Sequence, residues 1–138
     1  MIKKLFALLL IVSLLGCEKK QEKVGGCGTG LCTLSFAILQ VNYTDKDGNP
    51  VAVQNFTAVN QRTQQSVLPT NQHDLVVKGQ YAITDDGAKD KFSNDGDEVV
   101  VSATYAPTGQ TKTATFKISG GCNCHIEKLS GPQTIKFD

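Results

Sequence analysis

Cys27 and Cys32 lie near one end of the chain, Cys122 and Cys124 near the other, and His125 follows directly. Thiols in that number do one of two things. In an oxidising compartment they pair as disulfides; as thiolates, with histidine, they hold Zn²⁺ or Cu(I). Cys122-x-Cys124 does not close easily on itself. Read as a strand, its two residues stand about 6.5 Å apart with both side chains on one face, which suits disulfide geometry badly. Each is therefore expected to reach for Cys27 or Cys32. Both cross pairings are open, and a local Cys27–Cys32 bridge is a third arrangement. Either cross pairing closes a loop of roughly a hundred residues, worth roughly 4 kcal/mol, with the second adding much less. The metal alternative, a carrier or sensor of Cu or Zn in the cell envelope, takes Cys27, Cys32, Cys122, Cys124 and His125 as ligands. Cys-x₄-Cys with Cys-x-Cys is not a common structural zinc spacing, so disulfides are the expectation. No Cys-x-x-Cys is present to support thiol redox chemistry.

Other reactive residue types form weaker patterns. His73 stands beside Asp74, but there is no Gly-x-Ser-x-Gly, no His-Glu-x-x-His and no glycine-rich phosphate loop. No catalytic residue is assigned and no enzyme is expected. Asp85, Asp86, Asp90, Asp95, Asp97 and Glu98 crowd one polar stretch with Lys89 and Lys91. Clustered oxygens can hold Ca²⁺, but the spacing does not follow the calcium-loop template, and a solvated turn is the expectation.

The fifth cysteine, Cys17, stands in a different context. Met1-Ile2-Lys3-Lys4 is followed by an apolar run from Leu5 to Leu15. A basic start and a short apolar run have the order of an export signal, and the run is short for a permanent span. Leu14-Leu15-Gly16-Cys17 resembles the bacterial lipobox. That resemblance implies removal of residues 1–16 and a diacylglyceryl, N-acylated Cys17 as the new N-terminus. No other cofactor is expected. With Cys17 so used, the remaining four cysteines are an even set in an exported chain, which favours two disulfides. Glu18 at the next position, where Asp would resemble an inner-membrane retention signal, implies the outer membrane, facing the periplasm or the surface. Removing Lys3 and Lys4 turns the chain's net +1 to near −1. That balance points away from nucleic acid, which wants a basic face.

Three segments follow: a leader over 1–16, a lipidated flexible tether over 17–31, and a domain over 32–138. Glu18 to Lys23 is mixed charge without apolar periodicity, and Val24 to Gly30 is rich in glycine. Beyond it, alternation marks strands. Thr33 to Tyr43 carries Ala37, Leu39, Val41 and Tyr43 on one parity, while Leu34 and Phe36 fall on the other. A bulge or a covered outer face is expected near Ala37. Asp47-Gly48-Asn49-Pro50 is a turn before a strand over 51–60. Short strands are expected over 66–68, 75–77 and 80–84, then a long loop over 85–97. Residues 98–105 and 110–118 alternate cleanly around Ala106-Pro107-Thr108-Gly109 and form a hairpin. Strands over 124–129 and 134–137 close the chain. No long helical stripe follows Cys17.

Val41 to Asp85 resembles the transthyretin-like, carboxypeptidase-regulatory-like sandwiches of Bacteroidetes surface proteins. The residues that carry the likeness are Asp47-Gly48-Asn49-Pro50-Val51, Ala58-Val59, and Gly79-Gln80-Tyr81 leading to Ile83. The usual Thr-Asp-x-x-Gly before the tyrosine strand is replaced by Asn71 to Lys78. The ending Cys122-Asn123-Cys124-His125-Ile126 with Ser130-Gly131-Pro132 looks like the C-termini of small lipoproteins of that phylum. Together these imply an all-β, antiparallel immunoglobulin/transthyretin-like sandwich of about seven or eight strands. The resemblance implies a non-catalytic stalk or binding module, held to the membrane by its lipid and partnered by an envelope protein or polymer.

Overall fold

The computed structural model describes Cys27, residues 31–70 and residues 77–138. The leader, Cys17, tether residues 18–26 and 28–30, His73-Asp74 and the first two residues of the expected 75–77 strand lie outside the described residues.

The hairpin 97–119 is the backbone of the larger sheet. In β5 (Asp97–Tyr105) the odd residues Val99, Val101 and Ala103 are fully buried, while the even residues face outward. In β6 (Gln110–Ser119) Phe116 and Ile118 take the inner positions. Nine consecutive pairs join the two strands, from Asp97–Ile118 to Tyr105–Gln110. Uninterrupted period-2 alternation on both sides of a Pro-Thr-Gly turn fixes this register, because a slip of one residue would turn every valine outward.

β2 (Gln54–Asn60) pairs antiparallel with β5 and carries the two-residue β3 (Gln65–Ser66) on its other edge. β7 (Glu127–Ser130) completes the sheet beside β6, giving the order β3-β2-β5-β6-β7. The smaller sheet has the order β4-β1-β8, built from β1 (Ile38–Thr44), β4 (Gln80–Asp85) and β8 (Thr134–Lys136). The fold is thus an all-β sandwich, as the alternation implies, with eight strands among the described residues. Most pairs are antiparallel, but β8 runs parallel to β1. The last strands do not form a hairpin with each other; β7 joins one sheet and β8 the other.

Between β4 and β5 the expected long loop contains a 3-10 helix, Asp86–Lys91. Its N-cap Asp85 accepts a hydrogen bond from the Gly87 amide at 2.9 Å, as a capping carboxylate should. Of the two alternatives expected near Ala37, the structure has a bulge, between Leu39 and Gln40, and leaves the face of Leu34 and Phe36 exposed. Val41 and Tyr43 point inward from β1 and meet Ile83 and Phe137 of the same layer. Aromatic rings link the two layers: Tyr43 stacks on Phe137 at 5.7 Å, Phe137 on Tyr105 at 5.2 Å, and Phe56 meets Tyr43 edge-on at 6.1 Å. Such contacts add to the burial of the rings themselves.

Candidate functional site: the stapled junction

The cysteines are placed by a turn that follows β6. Residues 120–123 lie on the segment after the 3-10 helix. The Gly120 amide donates to the Ser93 carbonyl at 3.0 Å, Gly121 to the Lys89 carbonyl at 2.9 Å, and Cys122 to Asn94 Oδ1 at 2.7 Å. Asn123 Nδ2 donates to the Asn94 carbonyl at 3.2 Å. Gly121 has φ +59, and a Cβ there would stand 2.4 Å from Asn94 Oδ1. Only glycine allows this approach without displacement. Cys122, Cys124 and His125 therefore belong to a turn, not to the start of a strand; β7 begins at Glu127. The sequence expectation of a strand over 124–129 is corrected accordingly.

Of the pairings left open by the sequence, the structure has Cys27–Cys122 and Cys32–Cys124, with Cα separations of 4.8 and 5.2 Å. Both lie in the ordinary disulfide range. Leaving strand geometry lets the two cysteines of Cys122-x-Cys124 reach different partners. Bonded in this way, these four cysteines offer no thiolate to a metal, and no group of three or more His, Cys, Asp and Glu converges among the described residues.

Beside the second disulfide runs a polar chain. Asp86 Oδ2 stands 2.6 Å from His125 Nδ1 and accepts from the Ala37 amide at 2.9 Å. Asp86 Oδ1 accepts from the Ile126 amide at 2.9 Å. His125 Nε2 stands 2.8 Å from Thr33 Oγ1, which stands 2.7 Å from Ser35 Oγ. One carboxylate thus holds the approach to β1, the turn carrying His125 and the residue leading into β7. Burial opposes its charge, but the Ala37 and Ile126 amides and His125 outweigh that and hold Asp86 below the usual carboxylate range. Carboxylate, imidazole and hydroxyl in that order resemble the relay of an acyl-transfer site. Here the hydroxyl sits on an exposed segment ahead of β1, and both Asp86 oxygens also accept backbone amides, so the array ties three segments of the chain together. An open cleft bounded by Val51, Val53, Gln54, Lys78, Tyr105 and Pro107 contains neither Thr33 nor His125.

The acidic stretch does not act as one cluster. Asp85 caps the 3-10 helix and Asp86 holds the junction, while Asp90, Asp95 and Glu98 are exposed. Asp97 is buried on the inner face of β5, with its side chain 4% exposed. Arg62 grips it with Nε on Oδ1 and Nη2 on Oδ2, each at 2.8 Å. Asn60 Nδ2 donates to it at 2.8 Å, as do the Ser93 hydroxyl at 2.8 Å and the Ser93 amide at 3.1 Å. Arg62, against the opposing effect of burial, and then Asn60 and Ser93 hold the Asp97 carboxyl well below its ordinary range. The solvated-turn expectation is therefore corrected for Asp85, Asp86 and Asp97. Asp97 carried a signal: it shares the parity of Val99 and Val101, so a charge was bound for the core face and needed partners. Asp86 carried none, since its partners stand 39, 40 and 49 residues away.

Comparison of the chain with family models, curated proteins and solved structures finds no match.

Proposed function

We propose that this chain is a lipid-anchored β-sandwich of the bacterial cell envelope, acting as a non-catalytic binding or scaffold module for an envelope protein or polymer. The observation that carries the reading is the position of the two disulfides. Cys27 and Cys32, the first cysteines after Cys17, are bonded to the turn before β7. A domain tethered at its N-terminal side takes mechanical load there, and covalent bonds at that point keep the load from peeling β1 off the sheet. Disulfides also fit a compartment outside the reducing cytosol. The lipobox-like Leu14-Leu15-Gly16-Cys17 supplies the anchor, and Glu18 favours the outer membrane. The transthyretin-like resemblance of Asp47 to Val51 and Gly79 to Ile83 supports a module of the stalk or binding kind. In this reading the lipid on Cys17 is the sole prosthetic group, and residues 17–31 are the tether.

Growth of a lipoprotein-processing bacterial host with an alkyne-bearing fatty acid tests the anchor. The full chain should take up label and sediment with membranes, and Cys17→Ala should take up none. A full chain without label, or a Cys17→Ala chain labelled to the same extent, would overturn the proposal.

A further inference from the structure

The segment between the first disulfides and β1 presents a row of apolar side chains to solvent. Leu31 and Leu34 are fully exposed, Phe36 is 62% exposed and Ile38 46% exposed. From Thr33 onward the two parities divide sharply. Thr33 and Ser35 join the His125 chain, and Ala37 donates its amide to Asp86 and packs against the core. Leu34, Phe36 and Ile38 take the other parity, away from those partners. The Thr33 and Ser35 hydroxyls meet at 2.7 Å on one side of the chain, so pinning that side leaves Leu34 and Phe36 exposed on the other. A loose segment would fold such residues against the domain; here Cys32–Cys124, Thr33–His125 and Ala37–Asp86 hold them out. A lone exposed leucine is ordinary, but Leu34, Phe36 and Ile38 are three large apolar residues exposed on one parity of one held segment, with the exposed Leu31 just ahead of them.

We infer that Leu34, Phe36 and Ile38 form a membrane-contact ridge that seats the sandwich on the bilayer carrying its anchor. The inference rests on the anchored reading. Its occupant follows from chain length: nine residues, 18–26, separate Cys17 from Cys27. Fully extended they reach about 30 Å, so the ridge begins within tether reach of the bilayer. Apolar residues at that distance enter the boundary between headgroups and acyl chains, about 5–10 Å deep, by burying area and without need of a basic face. The near-neutral charge of the chain from Cys17 onward suits contact of that kind. The seated domain would be held at two points, lipid and ridge, and would present the remaining surface in a fixed direction.

The chain has no tryptophan, so one can be introduced as a sole reporter. Lipidated full-length F36W and T108W proteins are reconstituted into phosphatidylethanolamine–phosphatidylglycerol vesicles, with and without phosphatidylcholine brominated on its acyl chains. Thr108 lies in the β5–β6 turn, at the opposite end of β6 from Cys122. Flotation of both proteins with vesicles reports the anchor separately. The F36W emission should fall by roughly half with brominated lipid, as expected for an indole at the headgroup–acyl boundary. T108W emission should not change, and adding Leu34→Ser and Ile38→Ser to F36W should restore most of the signal. Proteins that float while F36W and T108W respond alike would overturn the ridge and leave the anchor standing. Blue-shifted F36W emission without bromine quenching, together with a concentration-dependent oligomer, would assign the row to a second copy of the chain and also overturn it. Failure to float would overturn the anchored reading itself.

Discussion

Cys32 is bonded to Cys124 across a separation of 92 residues, the same offset that pairs Thr44 with Lys136 at the far end of β1. Thr33 and His125 keep that offset too. The segment leading into β1 and the C-terminal segment therefore run parallel and in step at both ends. Between those ends the C-terminal segment crosses to the larger sheet as β7 and returns as β8. The disulfide fixes one end of this crossover, and the β1–β8 pairing fixes the other.

Cys27–Cys122 and Cys32–Cys124 close nearly the same loop, of 95 and 92 residues. Their contributions should therefore not add. Replacing either pair alone with serine should cost about 1 kcal/mol, and replacing both about 4–5 kcal/mol, because the last bridge carries the whole loop-closure entropy. Urea unfolding of the two double variants and the quadruple variant checks this. Equal and additive losses would contradict it.

Asp86 and Asp97 should make the fold sensitive to acid. Both carboxyls are held below the ordinary range in the folded state. A depressed pKa contributes stability above the unfolded value, about 3.9, and the contribution is lost as pH falls through the folded values. Asp97→Asn should therefore lower stability at neutral pH and flatten its decline between about pH 4 and about pH 2. Asp97→Ala should cost about 3 kcal/mol, since Asn60 loses a buried acceptor, whereas the half-exposed Arg62 can return to water. Asp86→Ala should cost about 2 kcal/mol by stranding two backbone amides. Denaturation series across pH provide the measurement.

Two glycines with positive φ should respond differently to alanine. Gly48, at φ +86, has open space where a Cβ would stand, and Gly121 has Asn94 there. Gly48→Ala should cost about 1 kcal/mol of backbone strain alone, and Gly121→Ala about 2–3 kcal/mol. The second variant should also slow oxidative formation of Cys27–Cys122, because it moves the turn holding Cys122. Thermal melts and a refolding thiol assay check both.

Tyr43 is completely buried, and among the described residues its hydroxyl has no hydrogen-bond partner. Burial, with Tyr81 nearby, pushes its phenol above the ordinary tyrosine range. Removing an unpaired polar atom while keeping the ring stacked on Phe137 should not weaken the core. Tyr43→Phe should leave stability unchanged or raise it by about 1 kcal/mol, measured by urea unfolding.

What the sequence made legible was whatever local alternation determines. β5 and β6 could be drawn from Val99 to Ile118 because each inward residue is apolar and the turn between them is unambiguous. The turn at Asp47-Gly48 was equally plain, but the first strand was drawn from Thr33 and begins only at Ile38, because Thr33 to Ala37 alternate without a neighbouring strand to pair with. The 3-10 helix was not, since six residues are too few to show a helical stripe. Nor was the parallel return of β8, because Thr134 to Phe137 alternates identically whichever strand it joins. The Cys-x-Cys spacing favoured cross pairings and left a local Cys27–Cys32 bridge open, and the choice among them depended on a turn held by Asn94, far from the cysteines in sequence. The Asp86–His125 link is a tertiary feature that neither local neighbourhood announces.

The central claim, a lipid-anchored and disulfide-stapled envelope module, is tested most directly by intact mass spectrometry of the protein extracted from membranes, with and without reduction and alkylation. The account predicts the mass of residues 17–138 plus acyl groups on Cys17, with no alkylated thiol before reduction and four after it. A chain lacking the lipid mass, or one with four thiols reactive after mild chelation alone, would contradict it.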